Sequence, residues 1–366
     1  MTPTRDILDL ARSVVRALPR LSSEPPACAV DLSDNTNLWG APPGALRVLR
    51  DAPIEALSRY PSVYSEPLHE AILRYVHLSG INGVGVVTGC GSDDVLDSTM
   101  RAFGAPGDQI VFSSPTFSMI PVLARLNGLD PVAIPLTNAF DVDAERIVDV
   151  NAKITYLCAP NNPTATAVSR AAVEFVVDNA RGIVLLDEAY AEFASEAFVQ
   201  LVERSERLIV ARTFSKAFGL AGLRVGFGLG QSHLTRIVER ARGPYKVSAL
   251  AERAVLAALD STTDGVDWVR AHAVLAIDNR NRLLTALRQA GFDPLPSAAN
   301  FVLVPTRRAL DIAQQMRASG VLVRCFTGLP LEIDAFARTG GSALRIGVGP
   351  WEMMQSMLSV LAEVQA

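Results

Sequence analysis

The sequence is poor in the residues that build metal centres and disulfide frameworks. Its four cysteines are scattered through 366 residues without CxxC spacing, and its four histidines form no HExxH pattern. This spacing argues against a zinc site and against a disulfide framework, and it is compatible with a reducing compartment. We therefore expect a protein without a metal that works in the cytoplasm.

The chain also lacks a large charge excess and long hydrophobic runs. Its formal net charge is -4, so no general attraction to nucleic acid or to an anionic membrane is expected. No run of about 18 apolar residues appears, as a membrane-spanning helix would need. Residues 1–20 lack the hydrophobic core of a signal peptide and carry Asp6 and Asp9 among arginines. They are predicted to form an amphipathic helix and not a targeting peptide.

What is present is a large amount of apolar material in short, evenly spaced runs. Hydrophobic residues make up 49% of the chain, and its length suits two domains. Helix-length stretches such as Asp93–Phe103 and Ser169–Asp178 separate most of the runs. Buried strands linked by helices predict a mostly parallel sheet covered on both faces, with ligands at the carboxyl ends of its strands. The runs predicted as strands are Val84–Thr88, Gln109–Phe112, Pro131–Ile134, Ile154–Cys158, Gly182–Leu186 and Arg207–Ala211.

The texture of the sequence changes after this region. A long helical stretch is predicted over Ser248–Ala290, and a shorter α+β pattern closes the chain. Its strands are predicted at Asn300–Val304, Val321–Val323 and Leu344–Val348. We therefore predict an N-terminal arm that forms part of the small domain (1–48), a large domain (49–260) and a C-terminal small domain (261–366).

A carboxylate and a phenol follow one of the predicted strands. The segment Gly182–Tyr190 reads as an apolar strand that ends in Asp187-Glu188-Ala189-Tyr190. A carboxylate at that point could hold a metal, a ribose or a protonated heterocycle. By itself, the segment is equally compatible with an aspartate that caps a helix.

A lysine follows the next predicted strand in an unusual setting. Lys216 stands in Thr213-Phe-Ser-Lys-Ala-Phe-Gly219, and Arg224 comes eight positions later. A single lysine is most often a solvated surface charge. Hydroxyls and an arginine on one short turn, however, suit an oxyanion such as a phosphate monoester. A lysine in such an environment loses its proton more readily, as a Schiff-base nucleophile requires.

A glycine-rich turn, Thr88-Gly-Cys-Gly-Ser-Asp-Asp94, joins a predicted strand to a helix. Backbone NH groups at such a helix start favour an anion. The alternative is the nucleotide-binding turn of a Rossmann oxidoreductase or a methyltransferase. Asp94 occupies the third glycine position of GxGxxG, so the dinucleotide pattern fails, and this alternative leaves Lys216 and Asp187 unexplained.

Together these segments resemble the class I/II aminotransferases of the histidinol-phosphate aminotransferase group, which are fold-type-I enzymes dependent on pyridoxal 5'-phosphate. The resemblance runs in order from about residue 32 to residue 349. It implies an α/β protein whose large domain has a mostly parallel, seven-stranded sheet flanked by helices, with a smaller α+β domain. It also implies transfer of an amino group from an L-amino acid or an amino-phosphate to a 2-oxo acid such as 2-oxoglutarate, a role in amino-acid biosynthesis, and a homodimer.

The resemblance assigns roles around the cofactor by position. Lys216 would carry the cofactor as an aldimine and then move the substrate proton, while Asp187 would keep the pyridine nitrogen protonated. Tyr190 and Asn162, the latter in Pro160-Asn-Asn-Pro-Thr164, would bind the phenolic oxygen. Phe117, in Ser113-Ser-Pro-Thr-Phe, would stack on the ring, although core packing is its ordinary interpretation.

The resemblance also implies how the phosphate is held. Tyr60, in Arg59-Tyr-Pro61, would reach the phosphate bound by a neighbouring subunit; a surface tyrosine is the alternative. In the chain's own site, the phosphate would contact Ser92, Asp93, Thr213, Ser215 and Arg224.

Two arginines and an asparagine are implied to bind the substrate. Arg345, in Leu344-Arg-Ile-Gly347, would clamp the α-carboxylate through two parallel hydrogen bonds. Arg324 would bind a second group of the substrate, and Asn35 would lie at the entrance of the active site. For both arginines the alternative is a surface ion pair.

The sequence departs from the group's pattern mainly around the substrate. Thr36 and Leu38 stand where the group has an acid and a proline, and Leu331–Thr339 reads as an insertion. The substrate therefore stays open at this point. The alternatives are a decarboxylase of the threonine-phosphate decarboxylase type, another reaction at Cα such as cyclisation or oxidation, and an aromatic or broad-specificity aminotransferase.

Overall fold

The computed structural model of the protein describes residues 10–18, 28–262 and 264–365. Within these residues the strands are β1 (Val30–Asp31), β2 (Val84–Cys90), β3 (Gln109–Ser114), β4 (Asp130–Pro135), β5 (Ile154–Cys158), β6 (Ile183–Asp187), β7 (Leu208–Thr213), β8 (Val225–Gln231), β9 (Phe301–Pro305), β10 (Val321–Leu322), β11 (Arg324–Phe326) and β12 (Ala343–Gly347).

The α-helices lie mostly between and after these strands. They are α1 (Ser13–Ala17), α2 (Pro43–Arg50), α3 (Glu55–Ser58), α4 (Glu66–Tyr75), α5 (Ser92–Phe103), α6 (Ile120–Leu126), α7 (Ala144–Asp149), α8 (Arg170–Asn179), α9 (Ser232–Arg242), α10 (Ala249–Leu259), α11 (Gly265–Gln289), α12 (Ala309–Ala318), α13 (Asp334–Ala337) and α14 (Trp351–Gln365). No helix in these described ranges is long and apolar enough to cross a membrane.

A seven-stranded sheet in the order β2-β8-β7-β6-β5-β3-β4 forms the centre of the larger part of the molecule. The pairings from β7 to β4 are all parallel, whereas β8 runs antiparallel to both of its neighbours. Every residue of β5, β6 and β7 is buried, because helices cover both faces of the sheet. Their continuous apolar sequences follow from this double burial.

A second, smaller sheet of three antiparallel strands, β11-β12-β9, packs with α12 and α14. The segment around residues 32–40 runs between the two sheets and bonds to both sides. The Leu32 carbonyl accepts from the Gly347 backbone, and the Asn37 amide donates to the Ala217 carbonyl at 2.9 Å. The loop that carries Lys216 is thus tied to the N-terminal segment.

The expected α/β architecture with a mostly parallel, seven-stranded sheet is confirmed. Each of the six apolar runs lies in a strand of the large sheet, and the strand ends differ from the predicted ends by at most two residues. The domain boundaries at 48/49 and 260/261 stay predictions.

The long helical stretch predicted over Ser248–Ala290 was wrong at one point, because it consists of α10 and α11 with a break between them. The Asp260 carboxylate accepts hydrogen bonds from the backbone and the hydroxyl of Thr262, which forms a turn that competes with the helix. Of the helix predicted over residues 1–20, residues 1–9 and 19–20 lie outside the described part, and α1 occupies 13–17.

Candidate active site

A cavity of about 270 Å³ opens at the carboxyl ends of β5, β6 and β7. It is lined by Asp34, Asn35, Ser92, Asp93, Phe117, Cys158, Asn162, Asp187, Ala189, Tyr190, Thr213, Ser215, Lys216, Arg224 and Arg345. A larger, shallower depression of about 600 Å³ lies at the opposite edge of the sheet and contains none of the predicted site residues. The chemistry predicted from the sequence therefore converges on the smaller cavity.

Lys216 lies in the turn after β7, and its ammonium nitrogen donates to the Asp34 carbonyl at 3.2 Å. Burial lowers the pKa of Lys216 to about 8, and the positive charge of Arg345 acts in the same direction. An amine in this state is neutral in a substantial fraction of molecules near pH 8. It can therefore attack the carbonyl carbon of a ligand as a nucleophile, and it can accept a proton as a general base.

Asp187 ends β6 and is 4% exposed. Its Oδ1 accepts from the Ala189 backbone at 3.0 Å, and its Oδ2 accepts from the Tyr156 hydroxyl at 2.9 Å. Burial raises the pKa of Asp187 to about 6, and the two donors oppose that rise. A buried carboxylate at this position suits a cationic ligand group.

The neighbouring acid, Glu188, has a different environment although it is next in sequence. Successive side chains point to opposite sides of an extended chain. Glu188 is 1% exposed and forms an ion pair with Arg212 at 2.7 Å, away from the cavity lining. Of the two adjacent acids, Asp187 therefore faces the cavity.

Three hydrogen bonds made by Asn35 and Arg345 build one side of the cavity. The Asn35 amide donates to the Tyr190 hydroxyl at 3.3 Å. Arg345 donates to the Asn162 side-chain carbonyl at 2.8 Å and to the Ser33 carbonyl at 2.6 Å. These contacts leave Nε of Arg345 buried without a hydrogen-bond partner in the described part of the chain.

An anion cradle forms where β2 meets α5. The N-terminus of α5 has no side chain that caps it, and Gly91 before it has φ +81°. The Arg224 guanidinium, which donates to Ser215 Oγ at 3.3 Å, lies beside this turn and contacts Asp93 at 3.4 Å. Backbone NH groups, a hydroxyl and a guanidinium around one space are the donors that a phosphate binds.

We expect Gly226→Ala to damage this cradle. A Cβ atom at Gly226 in β8 would overlap the Ser92 backbone nitrogen, so β8 and the start of α5 would have to separate. Overpacking of this kind typically costs about 1–3 kcal/mol. The free energy of unfolding, measured with urea, should fall by that amount, and affinity for phosphate-bearing ligands should fall as well. Gly222→Ala is the control, since a Cβ there meets no atom within 4 Å.

Two predicted site residues do not line the cavity. Tyr60 is 84% exposed and stacks on Tyr245 with ring centroids 4.9 Å apart. Arg324 is exposed on β11 but is the register partner of Arg345 on β12, so it lies at the same place along the small sheet. The structure brings the other predicted site residues together in the cavity.

Sequence reasoning missed Asp34 and Cys158, which line the cavity, and Tyr156, which contacts the lining residue Asp187. Asp34 was missed because it acts through a backbone carbonyl, which no side-chain pattern reveals. Tyr156 and Cys158 were missed because an aromatic residue and a cysteine in an apolar strand are typical of a core. The strand register identifies Cys158, because it pairs Cys158 with Asp187 on the adjacent strand, but this register is known only from the structure.

Comparisons with known proteins agree with this geometry. The family model described as aminotransferase class I and II matches residues 29–361. A histidinol-phosphate aminotransferase of Roseiflexus castenholzii is 36% identical over 349 residues, which cover 92% of this chain and 89% of that protein. Another, of Methanosarcina mazei, is 34% identical over 91% of this chain and 87% of its own length.

Solved structures share the fold. Histidinol-phosphate aminotransferase from Sinorhizobium meliloti in complex with pyridoxal-5'-phosphate superposes with a TM-score of 0.82 over 96% of both chains, at 24% identity. A mutant of Thermus thermophilus aspartate aminotransferase gives a TM-score of 0.81 at 20% identity, over 97% of this chain and 99% of the other.

The fold is thus fold type I of the pyridoxal-phosphate-dependent enzymes. The chain belongs to the class I and II aminotransferases. It is a transaminase that uses pyridoxal 5'-phosphate, and the family, fold and cofactor expected from the sequence are confirmed.

The residues of the cavity fit this cofactor. A phosphate matches the cradle at Gly91–Ser92 and Arg224, and a protonated ring nitrogen matches the buried Asp187 carboxylate. Among the described residues, buried polar atoms without partners include Oδ1 of Asn35 and Nε of Arg345. Asn35 and Arg345 both line the cavity, so these two atoms can pair with a ligand bound there.

Proposed function

We propose that this aminotransferase takes the amino group of L-histidinol phosphate, or of a closely related amino-phosphate or L-amino acid, and passes it to 2-oxoglutarate. The relatives that bear the name histidinol-phosphate aminotransferase at 31–36% identity support this substrate. Such an enzyme would act in amino-acid biosynthesis.

The observation that carries the proposal is the pair of arginines on adjacent antiparallel strands. Arg345 is buried at the cavity with an Nε that has no partner among the described residues, and Arg324 is opposite it in the register but exposed. L-Histidinol phosphate has a phosphate and no carboxylate, whereas glutamate and 2-oxoglutarate have two carboxylates. Both half-reactions use one site, so the binding groups must accept either anion. Guanidinium groups do so, because their paired NH donors match both oxyanions.

The test compares L-histidinol phosphate with L-histidinol, which lacks the phosphate, as donors to 2-oxoglutarate, with glutamate formation as the readout. Hydrogen bonds to charged groups contribute about 1.5–3 kcal/mol each, so kcat/KM should be roughly 10- to 100-fold or more higher for the phosphorylated donor. Arg324→Ala should reduce that preference, whereas Arg317→Ala, an exposed arginine on α12, should leave it unchanged. Equal kcat/KM values for the two donors, or no glutamate formed from either donor, would contradict the proposal.

Around the cofactor we propose the following division of work, which the geometry of the cavity supports. The cofactor supplies an electron sink that makes the substrate Cα–H acidic. Lys216 would hold it covalently and move the proton at Cα, and Asp187 would keep the ring nitrogen protonated. Tyr190 and Asn162 would bind the phenolic oxygen, and Phe117 would stack on the ring.

The remaining roles concern the two ends of the ligands. The phosphate of the cofactor would be held by the backbone at Ser92 and Asp93 together with Thr213, Ser215 and Arg224. Arg345, Arg324 and Asn35 would orient the substrate, which brings the Cα proton within reach of the Lys216 amine.

We propose that the working unit is a homodimer with composite active sites. Tyr60 is 84% exposed and does not line the cavity of its own chain. Exposed apolar side chains precede it in sequence: Leu46 on α2 at 56%, Ile54 just before α3 at 72%, and Leu57 on α3 at 67%. A second copy of the chain on this face would bury these side chains and bring Tyr60 to the neighbouring phosphate.

Mixing two inactive variants tests this arrangement. Tyr60→Ala and Lys216→Ala chains, denatured and refolded together, should regain activity, because one site of each hybrid would combine an intact Lys216 with an intact Tyr60 from the other chain. Each variant refolded alone is the control. A monomeric mass in light scattering, or a mixture no more active than its components, would contradict the dimer with shared sites.

We also propose a cytoplasmic location, in keeping with the cysteine pattern. Cys90, Cys158 and Cys325 form no disulfide. Cys158 is buried in the cavity wall, where burial raises the pKa of its thiol.

A further inference from the structure

Tyr156 is a fully buried phenol that points at the carboxylate beneath the cofactor cavity. It lies in β5 and is 0% exposed, and its hydroxyl donates to Oδ2 of Asp187 at 2.9 Å. In the register of β5 and β6, Cys158 is opposite Asp187, and Tyr156 is two residues earlier in the same strand. Tyr156 and Cys158 therefore share one face of the sheet, and the long phenol reaches diagonally to the end of the next strand.

The Tyr156 hydroxyl is one of two donors that bind the Asp187 carboxylate, one on each oxygen. Oδ1 accepts from the Ala189 backbone, and Oδ2 accepts from Tyr156. With one donor on each oxygen, the plane of the carboxylate is fixed and a lone pair on each oxygen stays open toward the cavity. A donor to a buried carboxylate also favours its ionised form, against the desolvation that favours the neutral acid.

We propose that Tyr156 is a positioning residue that orients Asp187 and keeps it ionised, so that this carboxylate can hold a protonated ring nitrogen. The inference rests on the proposed role of Asp187 and adds the group that makes this role possible. The phenol itself does not line the cavity, so it acts through Asp187 and not on the ligand directly.

The experiment uses Tyr156→Phe in the full chain and two ligands. The cofactor is removed, and the dissociation constant is measured for pyridoxal 5'-phosphate and for its analogue with carbon in place of the ring nitrogen. Tyr156→Phe should weaken binding of pyridoxal 5'-phosphate by about 10- to 100-fold, the effect of a lost hydrogen bond to a charged group. The analogue offers nothing to Asp187, so its dissociation constant should change by less than about twofold. In the reconstituted enzyme, kcat should fall more than KM for the amino donor changes.

Tyr75→Phe is the matched control. Tyr75 also donates its hydroxyl to a carboxylate, at 3.1 Å to Glu192, and neither residue lines the cavity. This variant should leave the affinities for both ligands unchanged. If Tyr156→Phe weakens both ligands equally, or neither, the inference is overturned. If the unmodified protein itself binds the two ligands equally, the proposed role of Asp187 fails first, and that result is separate from the outcome with Tyr156→Phe.

Discussion

Replacing Lys216 with alanine should abolish transamination, with a loss of several orders of magnitude in kcat. In the roles proposed above, the variant loses the amine that bonds the cofactor and the base that moves the Cα proton, and no other lysine among the described residues lines the cavity. The visible absorption band of the protein-bound cofactor should disappear as well. Both effects are measured on purified protein, by glutamate formation and by absorbance after addition of pyridoxal 5'-phosphate.

The structure also predicts how covalent attachment of the cofactor to Lys216 depends on pH. Burial lowers the pKa of Lys216 to about 8, so the fraction of neutral amine increases as the pH rises through that value. The rate of covalent attachment of the cofactor should therefore increase between about pH 7 and pH 9. Lys153→Ala, which removes an exposed lysine at the opposite edge of the sheet, is the control. Substantial transamination by Lys216→Ala would overturn the role of this lysine.

Replacing Asp187 with asparagine should have the second-largest effect. The amide has the size of the carboxylate but no charge, so a protonated ring nitrogen would be left buried without its counterion. Breaking a buried ion pair by removing one partner costs about 3–5 kcal/mol. That cost equals roughly two to four orders of magnitude in an equilibrium constant. Cofactor affinity and kcat should both fall, as measured by equilibrium binding and by steady-state kinetics.

The carboxylate should also give cofactor binding a pH dependence. Burial raises the pKa of Asp187 to about 6 in the cofactor-free protein, so the group is neutral below that value and ionised above it. Affinity for pyridoxal 5'-phosphate should therefore increase as the pH rises through about 6, and this increase should be absent in Asp187→Asn. Asp178→Asn, at an exposed aspartate paired with Arg204, should behave like the unmodified protein. An unchanged affinity in Asp187→Asn would contradict the ion pair.

The strands of the large sheet were predictable because buried strands have continuous apolar sequences that are visible locally. β5 and β6 are buried along their whole length, and their sequences are correspondingly apolar and bounded by polar turns. The break between α10 and α11 was harder to predict from the sequence, because a single aspartate-based turn separates two helices that have the same apolar periodicity.

The Lys216 segment and the Asp187 segment could be identified because the chemistry of each lies in a few consecutive residues. Arg345 and Asn162 are different, because the contact between them joins positions 183 residues apart. Asp34 contributes a carbonyl oxygen, and Tyr156 contributes a hydroxyl from within an apolar strand. No local pattern distinguishes these two residues from an ordinary loop residue and an ordinary core residue.

By itself, the sequence determined the family, the cofactor, the positions of the strands in the large sheet and the reactive residues that follow them. These features depend on motifs and on apolar runs that are local. Only the tertiary structure showed that Glu188 pairs with Arg212, that Arg324 lies opposite Arg345, and that the Tyr156 hydroxyl donates to Asp187. The reason is physical: orientation and pairing depend on strand register and on the approach of distant segments, and a linear sequence does not specify either at the level of single atoms.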